Sequence, residues 1–229
     1  MTKKIPRIVL AINYVNYSDV KKKNWQKIAM DVLVKNSPSN VQLVTFNYKD
    51  DEVNVPQQFR VFKMLERNSQ KTIGNTRPLP YVKDIFDFAS QMNCDVFGYL
   101  NSDIMVHKEF FDVFDNYKKI DSYLFNRIDI ADVSVATFNS KNFHIVWKDH
   151  PGFDGIFFRR KWWLINRKRF NDGLIVGEPE WDYYYNKVIR QSTGQIIKKR
   201  KLHHVYHNTI WNLTSNGAVN NRKINGAVA

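Results

Sequence analysis

Cysteine is almost missing from this chain, Cys94 being the only one in 229 residues. An intrachain disulfide is therefore excluded, as is a zinc site built on cysteine, and a reducing compartment fits best. Long apolar runs are missing too. No stretch approaches the roughly 20 residues that a membrane-spanning helix needs. The apolar segment 8–12, behind the first positive residues, is too short for a signal-peptide core and lacks a small-residue cleavage pattern. Acids are in deficit, 22 against 35 Lys and Arg, giving a formal charge of +13. That balance favours anionic partners: phosphate groups, acidic lipid surfaces or nucleic acid. No recognised nucleic-acid signature accompanies the charge. The basic clusters at Lys21-Lys22-Lys23, Arg159-Arg160-Lys161, Arg167-Lys168-Arg169 and Lys198 to Lys201 are scattered instead of forming one arm. The chain is therefore expected to be a soluble cytoplasmic protein, with the charge allowing peripheral contact with an anionic membrane. A nucleic-acid-binding module ranks well below an enzyme. Repeats, heptads and interdomain linkers are absent as well, which leaves one domain over residues 1–211 and a mobile Asn- and Gly-rich tail over 212–229.

What is present is enough apolar material, 43% of residues, to bury a sizeable core. Ile8-Val9-Leu10-Ala11-Ile12 reads as a buried strand, and residues 25–34 show helical spacing through Trp25, Ile28, Ala29, Val32 and Leu33. Residues 41–46 supply the next strand. This alternation predicts an α/β domain with a mostly parallel central sheet flanked by helices. Residues 53–69 read as a loop followed by a short helix. Pro80 is expected at the first turn of a helix with Val82, Ile85, Phe86 and Ala89 inside. Residues 96–100 form the next strand, 108–117 a short helix, 122–125 and 133–138 further strands. A strand at 156–158, a helix over 181–191 and an extended segment at 196–206 complete the reading.

The strand at 96–100 ends on Asn101-Ser102-Asp103. In open parallel sheets ligands bind beyond the carboxyl ends of strands. An Asp there can offer a carboxylate oxygen to Mg²⁺ or Mn²⁺, and such a cation can hold a diphosphate. The other reading of the tripeptide is a turn that caps the next segment. Further along, Asp154 stands in the turn Gly152-Phe153-Asp154-Gly155. Glu180 and Asp182 open the helix after Pro179, where carboxylates also simply complement the helix dipole.

In order and rough spacing, residues 7–211 resemble the nucleotide-sugar-dependent glycosyltransferases of the GT-A fold, which is Rossmann-like. The residues carrying the resemblance are Asn13 and Tyr14, Arg77 with Lys83 and Asp84, Asn101-Ser102-Asp103, His150 to Asp154, Glu178 to Asp182, and His203-His204 with His207. The resemblance implies a nucleotide-diphosphate sugar donor and a glycan, glycolipid or glycoprotein acceptor. Ala11, Asn13 and Tyr14 would hold base and ribose, and Arg77 the diphosphate. Lys83, Asp84, Asn101 and Ser102 would complete the donor site, with Asp84 on the sugar. Mn²⁺ or Mg²⁺ would sit on Asp103 and His207, His207 being preferred to His203 and His204 because it ends the extended segment. Asp154, Asp182 or Glu180 would take the acceptor's proton if configuration inverts; inversion and retention both stay open. Relatives usually carry an acid where Asn101 stands, so Asp103 is the single carboxylate of this motif. A nucleotidyltransferase of similar fold is the alternative enzyme.

Overall fold

A computed structural model of the chain describes residues 5–148, 150–191, 196–206 and 212–227. Strand β1 (Ile8–Ile12) is five buried aliphatic residues. It lies between β2 (Val41–Tyr48) and β4 (Val96–Leu100) and runs parallel to both. Strand β3 (Arg60–Leu65) extends this parallel half beyond β2. Helix α1 (Val20–Asn36) covers one face, its start fixed by Asp19, whose carboxylate accepts the N–H groups of Lys21 and Lys22. Met30 and Leu33 of α1 pack there with Ile8, Leu10 and Ile12 and with Phe110 and Phe114 of a 3₁₀ helix over 108–116. A short helix α2 (Ser69–Ile73) follows β3. Helix α3 (Val82–Gln91) covers the opposite face with Val82, Ile85, Phe86 and Ala89 turned inward.

The second half corrects the mostly parallel expectation, because the sheet is mixed. Among the described residues its nine strands run β3-β2-β1-β4-β8-β6-β9-β5, with β7 added on β6. Strand β8 (Phe153–Arg159) is antiparallel to both β4 and β6 (Ser122–Ile130). Among its described residues, the connection from β6 to β8 holds only the five-residue helix α4 (Val135–Asn139) and β7 (Ile145–Trp147), which already folds back on β6. A parallel return would need a full crossover helix, so the chain comes back antiparallel. Strand β9 (Ile196–Val205) then runs parallel to β6, and β5 (Ile104–Met105) pairs with its end. Gly98 permits the close β4–β8 approach, since a Cβ there would run into the Phe157 ring.

Several local expectations change with the structure. Residues 133–138 are not a strand: Ser134 caps α4 by accepting the Thr137 N–H at 3.1 Å, which outweighs the strand preference of Val133, Val135 and Phe138. Pro80 bridges to Asn68 and stands ahead of the α3 cap, Tyr81, instead of within the first turn. After β8 come α5 (Arg160–Asn166) and α6 (Trp181–Arg190).

The tail also departs from expectation, since helix α7 (Asn216–Gly226) packs on the domain. Asparagines that suggested mobility make the seam: buried Asn221 accepts from Ile175 N–H and donates to the carbonyls of Ile175 and Pro179, and Asn220 donates to Gly173. Among the described residues no helix is long and apolar enough to cross a membrane.

Candidate functional site

The carboxyl ends of β1 and β4 and the start of β8 converge on a cleft of about 800 Å³. Antiparallel pairing sets this meeting: Asn101 N–H donates to the Asp154 carbonyl at 3.1 Å, so the first residues of β8 stand beside the last of β4. Of the residues singled out from sequence, Asn13, Tyr14, Arg77, Asn101, Ser102, Asp103 and Asp154 line the cleft together. The β1 end is tied down. Asn13 donates to the Phe46 carbonyl at 2.7 Å, Tyr14 N–H donates to Thr45 Oγ1, and the Gln26 amide closes both backbone groups of Val15. Tyr17 reaches in from the following loop; burial first, then the nearby Asp103 charge, pushes its phenol up, while Ser102 hydrogen-bonds it. Arg77 donates to the Gly177 carbonyl at 2.9 Å and pairs with buried Glu178 at 3.3 Å, its side chain still half exposed to the cleft.

A chain of alternating charge crosses the floor. His204 Nε2 lies 3.3 Å from Asp103 Oδ2, and its Nδ1 lies 3.0 Å from buried Asp129. Arg127 links Asp129, through Nε at 2.9 Å, to Asp154, through Nη1 at 3.1 Å. Asn101 Nδ2 donates to the same Asp154 Oδ1 at 2.7 Å, which leads back to the start. Register places these groups on one face: β6 sets Asp129 opposite His204 of β9, and β5 sets Ile104, next to Asp103, opposite His204 on the other side. Burial alone would raise Asp103, but the His204 imidazolium outweighs it and holds the carboxyl at about 2. Burial likewise disfavours charge on His204, yet the two carboxylates lift it to about 9. Asp154 keeps its second oxygen, Oδ2, buried without a hydrogen-bond donor among the described residues, 3.9 Å from His150 Nδ1.

Other expected site residues stand elsewhere. Ala11 is fully buried in β1 between Val44 and Tyr99. Lys83 pairs with Asp87 at 2.7 Å and Asp84 holds Arg67, and neither lines the cleft. Glu180 caps α6 in a left-handed conformation (φ 74°) and bonds Arg222 and Asn225 of α7. Asp182 lies behind β8, accepting the Phe153 N–H at 2.7 Å, and burial reinforced by the Asp154 charge raises it to about 6. His207 lies outside the described residues. His203 faces away from the cleft, packed against His107, Phe138 and Phe143, and burial lowers it to about 4. His204 is the histidine that meets Asp103. Sequence reading missed Arg127, Asp129 and Tyr17. Two opposite charges two residues apart in the otherwise uncharged segment 122–130 were the available signal, since they share one strand face.

No protein-family model matches the sequence, and no curated protein does either. The chain nevertheless has a GT-A-like fold, the architecture of the glycosyltransferases among its structural neighbours. One of them is GalNAc-T7, solved with UDP, GalNAc and Mn²⁺, at a TM-score of 0.57 and 10% identity over 91% of this chain and 44% of that one. Another is S. aureus TarS 1–349 in complex with UDP-GlcNAc, at 0.54 and 13% over 89% and 59%. The chain thus spans about half the length of each.

Proposed function

We propose that this chain is a glycosyltransferase that moves a sugar from a nucleotide-diphosphate sugar to a glycan, glycolipid or glycoprotein acceptor. The observation carrying this reading is the placement of Asp103 and His204 side by side on the cleft floor, with Asp129 on the second imidazole nitrogen. Among the described residues no cluster of three or more His, Cys, Asp or Glu is set for a metal. Asp103 and His204 nevertheless fit Mn²⁺ or Mg²⁺, being a carboxylate and an imidazole 3.3 Å apart. To take an ion, the His204 imidazolium would give up its Nε2 proton and keep Nδ1–H on Asp129, the arrangement by which an outer carboxylate orients a histidine ligand. Bound there, such an ion supplies neutralising charge for the departing nucleoside diphosphate.

The chain's own residues do the rest. Asn13, Tyr14 and Tyr17 border the space for base and ribose, and the Arg77 guanidinium pairs diphosphate oxygens in a two-pronged geometry. Asn101 and Ser102 fix the neighbouring Asp154 and Tyr17. In an inverting transfer the acceptor hydroxyl attacks the anomeric carbon, the bond to the diphosphate oxygen breaks, and Asp154 takes the hydroxyl proton. Asp154 is preferred over Asp182 and Glu180 because it alone of the three lines the cleft. Both neighbours were solved with uridine nucleotides, so uridine-linked sugars are the first donors to try.

Titration calorimetry with uridine, guanosine and thymidine diphosphates, with and without Mn²⁺, tests the proposal. Metal-dependent binding of one of them supports it, and absence of binding to all of them overturns it. Product analysis separates the chemistries: a free nucleoside diphosphate marks sugar transfer, whereas pyrophosphate marks a nucleotidyltransferase.

A further inference from the structure

The end of the sheet opposite the cleft has a different chemistry. Strand β8 starts at the cleft with Asp154 and ends with Arg159, which is in register with Val96 at the far end of β4. There α5 buries Trp162 and Trp163 and turns Leu164 and Ile165 outward, 42% and 72% exposed. Exposed Lys161 precedes this aliphatic pair, and exposed Arg167, Lys168 and Arg169 come shortly after it.

Neighbouring segments add charge of the same sign. Arg159 donates to the Lys118 carbonyl at 2.7 Å, which brings exposed Lys118 and Lys119 to this end. Arg7 and Arg160 both attach through their N–H groups to Asp95, and Ile5 beside Arg7 is 67% exposed. Three acids at this end are already engaged: Asp95 by Arg7, Asp121 by Arg159, Asp87 by Lys83. Exposed aliphatic side chains ringed by cations are costly in water and suited to a surface that is apolar beneath and anionic above.

We propose that this end of the molecule docks on an anionic lipid surface, Leu164 and Ile165 entering the head-group layer while the surrounding lysines and arginines pair with lipid phosphates. A nucleic acid would be met by a groove or by stacked aromatic rings; here the two tryptophans are buried and the exposed centre is aliphatic. The five residues of β4 separate the docking face from the cleft by roughly 17 Å. The cleft thus lies on the side away from the bilayer. This inference stands independently of the transfer chemistry.

Co-sedimentation of the full chain with phosphatidylcholine vesicles, with and without phosphatidylglycerol, tests it. Binding to the anionic vesicles alone is expected. It should fall at least about tenfold in a Lys168→Glu, Arg169→Glu variant, and comparably in a Leu164→Ser, Ile165→Ser variant, each keeping wild-type far-UV circular dichroism. Absence of anionic-vesicle binding overturns the proposal. So does binding that the Leu164→Ser, Ile165→Ser variant retains in full and that a single-stranded oligonucleotide matches, because that would be charge adsorption without insertion.

Discussion

Replacing Asp182 by asparagine tests whether its buried carboxyl weakens the fold at neutral pH. The group sits behind the start of β8, accepts the Phe153 N–H at 2.7 Å, and is raised by burial from 3.8 to about 6. An acid raised in this way binds its proton more tightly in the folded chain than in the unfolded one. Stability from this group therefore falls as pH climbs from 3.8 to about 6, and the full penalty persists above that. The interval corresponds to about 3 kcal/mol. Asparagine keeps an oxygen for the Phe153 N–H and carries no charge. Relative to wild type, Asp182→Asn should thus gain up to about 3 kcal/mol on going from near pH 4 to near pH 7. Urea unfolding across that range, followed by tryptophan fluorescence and compared at equal slope, gives the difference directly. A difference that stays constant with pH refutes the burial argument. Retained turnover by the same variant would mark Asp182 as a support for β8, and lost turnover with intact donor binding would return it to the chemistry.

Asp103→Ala should remove the metal-dependent part of donor affinity, at least about tenfold, as read by calorimetry with and without Mn²⁺. Arg77→Ala should weaken donor binding roughly ten- to a hundredfold, the worth of a charged hydrogen bond. Lys83→Ala, whose ammonium serves Asp87, should leave that affinity unchanged. Gly98→Ala forces a Cβ against the Phe157 ring and should destabilise by about 1–3 kcal/mol in thermal unfolding. Asn221→Ala should speed amide exchange at Ile175, whose N–H it leaves without its acceptor.

The elements that could be read from sequence are those whose signal is local. Short apolar runs such as Ile8 to Ile12 and Val96 to Leu100 name themselves as central strands, and the 3.6-residue spacing of Val82, Ile85, Phe86 and Ala89 names α3. Asp103 and Asp154 were legible because each adjoins a strand end. Strand direction was not, because nothing local in Phe153 to Arg159 states whether its neighbours run with it or against it. The tail was misread because asparagine-rich composition says nothing of where those amides find partners. The place of His204 was not legible for a related reason: Asp129 lies 75 residues before it, and only the β6–β9 register brings the two together.

The seam of α7 carries a thermal consequence. Helix α7 is held to the loop behind Arg77 largely by amide groups, and Ser215 and Gly217 at its start close on Glu178, the partner of Arg77. Opening such a seam exposes mostly polar surface, which adds little heat capacity or even subtracts some. Cooling that weakens the aromatic core leaves this contact nearly untouched. The wall of the cleft that carries Arg77 should therefore keep its order in the cold better than the interior on which the domain rests.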